Sequence, residues 1–279
     1  MSEESSHPVY FDSHMHTPLC KHAVGSPVEY ARVGKEKGLR GIIMTCHSPM
    51  PDGFSADVRM SYSEFPEYIK LVESAAAQMA DQIDVKLGLE SDWFPGMESW
   101  LSELHDQADF HFILGSVHPF TREYKAAFFD EDPVTFQSRY FNHIADSAES
   151  GLFDCISHAD IVKVMLGNKW NLAGSLKTIE GVLERIASTG IAMELNTSGL
   201  NKSYPEMNPG AEILAMMHGL HIPVVVNSDA HRPDRVAADF DLAFDLLEQI
   251  GFSKVSYFKN RQRLDISISE VRKSMNFAN

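Results

Sequence analysis

Two histidines one residue apart, His14 and His16, follow Asp12 at the end of the short apolar run Val9-Tyr10-Phe11. Residues i and i+2 of an extended chain point to the same side, so both imidazoles face one way. Paired imidazoles suit a transition-metal ion, but in a chain with 13 histidines one pair is also what chance supplies. The wider pattern decides between these. Strand-like apolar runs cover 9–14, 41–47, 85–91, 110–118, 153–158, 191–196 and 223–231. Near the C-terminal end of these runs stand His14 and His16, His47, Glu90, His118, His158, and the pair Asp229 and His231. The sixth run ends in the polar stretch 194–199, with no histidine.

Imidazole mixed with carboxylate is a donor set for zinc, iron or manganese, whereas calcium prefers oxygen ligands throughout. A catalytic zinc takes about three protein ligands and keeps one position open. Eight such groups, with His22 beside them, exceed what one ion can use, so two to three ions are expected, with one carboxylate bridging. Clustered ions lower the pKa of bound water and stabilise both the attacking and the leaving oxygen of a phosphoryl displacement. Hydrolysis of a phosphate ester is the chemistry this implies. An amidohydrolase, which also uses paired histidines and two metals in a barrel, stays open on the residues alone. His7, His105, His143, His218 and His221 read as surface or satisfied residues, and His111 lies at the wrong end of its run.

The elements that must position these groups alternate. Helix-period segments lie between the strand runs. Residues 27–38 start at Pro27 and stop at Gly38, and 61–83 carry Leu71, Ala75 and Met79 at four-residue steps. Residues 175–190 set Ile179, Val182, Leu183 and Ile186 on one face before Gly190, and 235–251 repeat the pattern with Val236, Phe240, Ala243 and Leu247. Seven strand–helix alternations imply parallel strands with right-handed crossovers. With no break in composition, they predict one α/β domain over 1–279, a (β/α)7 distorted TIM-like barrel with its core at about 9–260 and a C-terminal helix at 266–275. The C-terminal ends of parallel barrel strands open onto one face, where the loops build active sites. An open doubly wound sheet is the alternative, but no Gly-rich phosphate loop follows the first strand. The tail adds one more strand and the helix.

Of the 279 residues, 44% are hydrophobic and 23% charged, enough for a large core. A formal net charge of −15 argues against nucleic acid or an anionic membrane as partner. Bound cations would bring the local positive charge that an anionic substrate requires. The polar, acidic N-terminus and the lack of any apolar run near the roughly 20 residues a bilayer requires predict a soluble cytoplasmic protein. Cys20, Cys46 and Cys155 have no paired spacing, which predicts free thiols; Cys20 and Cys46 read as packing residues beside the site.

These motifs resemble the polymerase and histidinol phosphatase (PHP) superfamily, and within it the histidinol-phosphatase group. Residues 12–51 match that group's opening nearly throughout, including Cys20-x-His22 and Thr45-x-His47-x-Pro49. Gly88-x-Glu90-x-Asp92, Gly115-Ser116-Val117-His118, the segment 153–163, the segment 194–200 and Asn227-Ser228-Asp229-Ala230-His231 match later motifs. One departure is Ser157-His158, where Gly-His is more usual. The resemblance covers about residues 9–235. It implies a trinuclear metal centre. His14, His16, Glu90 and Asp229 would hold one ion, and Glu90, His118 and His158 a second, with Glu90 bridging. His22, His47 and His231 would hold a third. It also implies a phosphomonoesterase acting on L-histidinol phosphate by attack of a metal-bound hydroxide, with another small phosphoester (nucleotide or sugar phosphate) as the alternative. Glu90, His47, His231 and Asp229 would carry the catalysis. An amidohydrolase would place a lysine where Glu90 bridges. Lys163, five residues past His158, is placed to reach phosphate; Asn196 and Ser198 to bind phosphate or the substrate amine; Arg122 and Arg232 to assist. Asp92 is a candidate for the cationic end of the substrate, and Asp12 and Asp160 for orienting ligand histidines.

Overall fold

A computed structural model describes residues 7–277; the two ends of the domain expected over 1–279 lie outside the described residues. Seven parallel strands follow one another in space in chain order: β1 (Phe11–Asp12), β2 (Gly41–Met44), β3 (Asp84–Asp92), β4 (Phe112–Ser116), β5 (Cys155–Ile156), β6 (Ala192–Asn196) and β7 (Val224–Asn227). Between and after them run α1 (Pro27–Glu36), α2 (Phe65–Met79), α3 (Glu98–His105), α4 (Arg122–Phe128), α5 (Pro133–Glu149), α6 (Val162–Leu166), α7 (Leu172–Thr189), α8 (Ala211–Gly219) and α9 (Phe240–Ile250). The sheet curls until its edges meet. Beyond β1 and β7, Met15 pairs with Ala230, with His16 N–H donating to the Ala230 carbonyl at 2.9 Å and Ala230 N–H to the His14 carbonyl at 3.0 Å. Lower in the seam the Tyr10 hydroxyl spans the gap, accepting from Val226 N–H at 2.9 Å and donating to the Ser256 carbonyl at 3.1 Å. The result is the nearly closed (β/α)7 barrel that the alternation predicts.

Period-two alternation divides each strand between two environments. One set of side chains packs outward under the helices, including Ile42, Met44, Leu89, Ile113, Met193 and Val226. The other fills the barrel, and it changes character along the axis. The apolar end holds Phe11, Ile43, Phe112, Leu114, Cys155, Ala192 and Val225. The next inward positions, Thr45, Glu90, Ser116, Ser157, Glu194 and Asn227, are polar and buried. Gly88 sits at the transition. A Cβ there would lie 2.7 Å from Ile43, Thr45 and the Phe112 carbonyl, so only glycine lets these strands approach so closely.

Helix ends follow local chemistry. Ser26 and Glu29 form a reciprocal capping box at α1 with Pro27 in its first turn, and Gly190 in the left-handed region stops α7. The segment expected to be helical from 235 begins only at Phe240. Ala237 and Asp239 take left-handed φ values of 50° and 61°, and the Ala237 N–H is committed to Asp12 Oδ2 at 2.9 Å. The tail also differs from expectation: instead of one strand it forms an antiparallel hairpin, β8 (Lys254–Lys259) and β9 (Gln262–Ser267), before the Ser267-capped helix α10 (Ile268–Ser274). Phe258 of β8 closes the apolar mouth of the barrel, its ring centroid 4.9 Å from Phe112. No helix among the described residues is long and apolar enough to cross a membrane.

One expectation fails here. Lys163 does not face the open end of the barrel. Its ammonium is buried and held by Asp160 Oδ2 at 2.9 Å, Glu206 Oε2 at 2.7 Å and the Met207 carbonyl at 2.7 Å. Asp160 also accepts from Asn208 Nδ2 and Gly210 N–H, so this network ties the loop after β5 to the loop after β6 and touches no ligand histidine. Removing one partner of a buried ion pair strands the other. Lys163→Met is therefore expected to cost about 3–5 kcal/mol in urea unfolding. A phosphate-binding lysine would instead leave stability intact and raise KM.

Candidate metal centre

At the polar end of the barrel one carboxylate meets five imidazoles. Glu90, fully buried in β3, turns Oε1 toward His158 Nε2 at 3.1 Å and His118 Nε2 at 3.4 Å. It turns Oε2 toward His47 Nδ1 at 2.8 Å, His14 Nε2 at 3.5 Å and His16 Nε2 at 3.6 Å. Asp229, with a left-handed φ of 49°, brings Oδ1 to 3.2 Å from His16 Nε2 and 3.6 Å from His14 Nε2. His231 stacks on His16 with centroids 4.0 Å apart, and His22 lies 4.7 Å from His231. Every ligand position expected from the sequence is thus in one cluster. Within it, His14, Glu90 and His158 form one compact donor group, His47, Glu90, Asp92 and His118 another, and His16, His47 and His231 a third, the donor atoms of each group lying within 4.8 Å of one another.

A ring of acceptors aims the imidazoles. Glu194 accepts a hydrogen bond from His14 Nδ1–H at 2.7 Å and also accepts from His158 N–H, Asn196 Nδ2 and Asn227 Nδ2. Asp92 accepts from His118 Nδ1 at 2.8 Å and is itself gripped by Arg59 and by Ser116 Oγ at 2.7 Å. Backbone carbonyls do the same for His22 (Cys20 O, 2.7 Å) and His231 (Asp229 O, 3.0 Å). A histidine whose Nδ1–H is committed in this way presents the Nε2 lone pair, the arrangement that metal-ligating histidines adopt. The atoms left over point the same way. His14 Nε2, both ring nitrogens of His16, His47 Nδ1 and Glu90 Oε2 are buried with no hydrogen-bond partner among the described residues. Unsatisfied buried polar atoms are costly and rare, and so many converging at one point fit a cluster of cations.

The fields are strong. Burial pulls the His14 pKa down, but the Glu194, Asp229 and Glu90 charges outweigh it and hold it well above the ordinary value. His16 is raised to about 9, its burial overcome by Asp229, Cys20 and Glu90. Burial takes His47 down to about 4 and His231 to about 3. Burial opposes ionisation of Glu90, yet His47, His14 and His118 keep it well below the usual carboxylate range. The Cys20 thiol is held far below the ordinary thiol range by the Cys46 thiol beside it, against its burial.

The remaining expected residues divide. Ser198 Oγ lies 2.9 Å from Asp229 Oδ2 and 2.7 Å from Asn196 Oδ1, so Ser198 positions Asp229, and Asn196 caps the turn after β6. Arg122 is exposed at the rim of the cleft and pairs with Glu123. Arg232 turns away to Asp234 and does not line the cleft. Asp92 is spent on Arg59, Ser116 and His118 and does not face a substrate amine. Asp12 holds Ser228 and Ala237, closing the barrel seam, and touches no imidazole. Three residues escaped the sequence reading. Glu194 carries a signal, a charge in the middle of the strand run 191–196. Arg59 and Lys202 carry none. Both line a cleft of about 790 Å³ over the cluster, with Lys202 Nζ 3.5 Å from Asp229 Oδ2.

The PHP domain model matches residues 12–198. The chain is 33% identical over 252 residues to a "Probable histidinol-phosphatase" of Deinococcus radiodurans, covering 88% of this chain and 95% of that one. It is 24% identical over 265 residues to the histidinol-phosphatase of Bacillus subtilis, covering 84% and 96%. The histidinol phosphate phosphatase of Lactococcus lactis, solved with zinc, L-histidinol and phosphate, superposes with a TM-score of 0.76 at 21% identity, over 91% of this chain and 98% of that one. With the barrel, the motif positions and these relatives in agreement, the chain belongs to the PHP domain family.

Proposed function

We propose that this protein is a metal-dependent phosphomonoesterase that hydrolyses L-histidinol phosphate to L-histidinol and phosphate. The observation that carries the reading is the Glu90-centred cluster of buried, partnerless imidazole nitrogens, set in a chain similar along nearly its whole length to histidinol-phosphatases. When bound, divalent ions neutralise the phosphate and supply hydroxide at neutral pH. Three are favoured: one held by His14, His16, Glu90 and Asp229, one by Glu90, His118 and His158, and one by His22, His47 and His231. The two oxygens of Glu90 face different sets of histidines, which suits a bridge. Zinc, iron and manganese all suit the donors; the zinc in the Lactococcus lactis relative favours zinc.

The chain's own groups do the rest. Lys202, half-buried over the cluster and 3.5 Å from Asp229 Oδ2, is the cation that meets a phosphate oxygen, in the role the buried Lys163 cannot take. Arg122 at the rim adds a second, more distant charge. Burial keeps His47 and His231 neutral at pH 7, which favours ligation and leaves them without a proton to give, so the leaving alkoxide takes its proton from water in the open cleft. Cytoplasmic residence agrees with three buried, unpaired cysteines.

Phosphate release by metal-reconstituted protein tests the reading. For histidinol phosphate, kcat/KM is expected at about 10⁴ M⁻¹s⁻¹ or above, with nucleotide and sugar phosphates far below. No release from histidinol phosphate under zinc, iron or manganese, with another phosphoester turned over, would overturn the substrate. Glu194→Gln keeps the size of the group that aims His14 but weakens its acceptor. It is expected to lower metal affinity by about 10–100-fold in competition with a chelating indicator, with the circular dichroism spectrum unchanged.

Loading should also depend on pH in a defined direction. His14 and His16, with raised values, hold protons at pH 7 that an incoming ion must displace. Calorimetry in buffers of different ionisation enthalpy is expected to show proton release at pH 7, and affinity rising toward about pH 9. In the metal-free protein these two imidazoliums stabilise the fold fully below the unfolded value of 6.5, and that contribution is lost as pH rises through about 9. The gap in Tm between loaded and metal-free protein should therefore widen from pH 6 to pH 9. A gap that narrows would show that the protons sit elsewhere.

A further inference from the structure

The short helical turn Pro18–Cys20 ends at Lys21, whose left-handed φ of 70° turns the chain back on itself. Cys20 and His22, on either side of that residue, are thereby brought together, His22 in the lining of the cleft and Cys20 fully buried. The loop is pinned to the end of β7 by the Val24 N–H, which donates to the His231 carbonyl at 2.9 Å. Cys20 Sγ, a ring nitrogen of His22 and a ring nitrogen of His231 lie within 4.8 Å of one another. Both histidines have Nδ1 tied to a carbonyl, which leaves Nε2 on each as the free donor. The same sulfur belongs to a second group, with His16 and Cys46. His16 is fully buried, and neither of its ring nitrogens has a hydrogen-bond partner. Cys20 is likewise fully buried, so its sulfur faces these donors and not solvent.

We infer that Cys20 Sγ is a ligand of the ion held by His22 and His231. With His47 as the third histidine of that place, one thiolate and three imidazoles supply the four donors of a tetrahedral zinc. The assignment rests on the reading that an ion occupies this third place. It changes the character of that ion. A thiolate carries a full negative charge and a soft donor atom, so this place selects zinc or cobalt over manganese, while the mixed imidazole and carboxylate places around Glu90 and Asp229 discriminate less. Cys46 sits behind Cys20, away from the two histidines, and accepts from Thr17 Oγ1 at 3.3 Å; it supports the sulfur without ligating.

Cobalt(II) separates the alternatives, because a thiolate–cobalt bond gives an intense near-ultraviolet charge-transfer absorption that imidazole and carboxylate ligands do not. Metal-free full-length protein is titrated with cobalt while bound equivalents are counted. The expected result is that this absorption grows with one equivalent, is lost in Cys20→Ser and is kept in Cys46→Ser. Three bound equivalents with no such absorption in the wild-type protein would overturn the Cys20 assignment and leave the proposed phosphatase standing. Absorption lost in Cys46→Ser but kept in Cys20→Ser would overturn it in favour of the other thiol. Failure to bind any ion at His22 and His231, seen as an unchanged cobalt count in His22→Ala, would overturn both the assignment and the three-ion reading. The wild-type spectrum decides even where a variant does not fold.

Discussion

The buried carboxylate of Glu90 sets the terms for everything around it. Removing a carboxylate from water costs several kcal/mol unless compensating charge and hydrogen-bond donors surround it. Here compensation comes from His14, His16, His47, His118 and His158, delivered by the ends of β1, β2, β4 and β5. No open sheet of the same strand order would bring four strand ends around a residue of a fifth element so closely. Curling the sheet until β1 meets β7 does so, and it also delivers Asp229 and His231 from the far edge. Barrel closure and site assembly are in this sense one event.

Buried carboxylates behind the imidazoles hold them in place. Glu194 and Asp92 stand behind His14 and His118, and each is held in turn, Glu194 by two asparagines and a backbone N–H, Asp92 by Arg59 and Ser116. The barrel interior thus passes from hydrocarbon through a layer of fixed acceptors to a layer of aimed imidazoles. The acidic composition of the chain has a local meaning here: the carboxylates at this end are counter-charges for cations. The same gradient explains why strand ladders are shorter than the apolar runs that encode them. β1 and β5 keep only two ladder residues each, because the residues beyond them turn toward the cluster.

Much of this was legible in the sequence. The alternation of strand and helix periods, and the placing of His14, His16, His47, Glu90, His118, His158, Asp229 and His231 at strand ends, follow from local pattern alone. His22 needed the family resemblance, since a loop histidine has no period to mark it. What stayed hidden depends on contacts between distant residues. Lys163 looked free because its partners Glu206 and Met207 lie more than forty positions away. The late start of α9 depends on Asp12 claiming the Ala237 N–H across 225 positions. Arg59 sits in a polar loop whose sequence says nothing of its pairing with Asp92, and Lys202 follows a strand that brings no histidine to the cluster.

The seam between the first and last strands has a consequence for how the molecule comes into being. His14 and His16 are made at the start of synthesis, Asp229 and His231 more than two hundred residues later, and the Met15–Ala230 pairing that joins them is among the longest-range contacts in the chain. A chain whose last strand is not yet made can hold the Glu90, His118 and His158 donors but lacks Asp229 and His231. Contacts of such large sequence separation form late in folding. Capture of the ions that need Asp229 or His231 is thus reserved for molecules that have closed the ring, and binding rewards that last step by mass action. The cluster works as a check on its own barrel: chains that stall before closure lack a complete centre and the stabilisation that a full set of ions would bring.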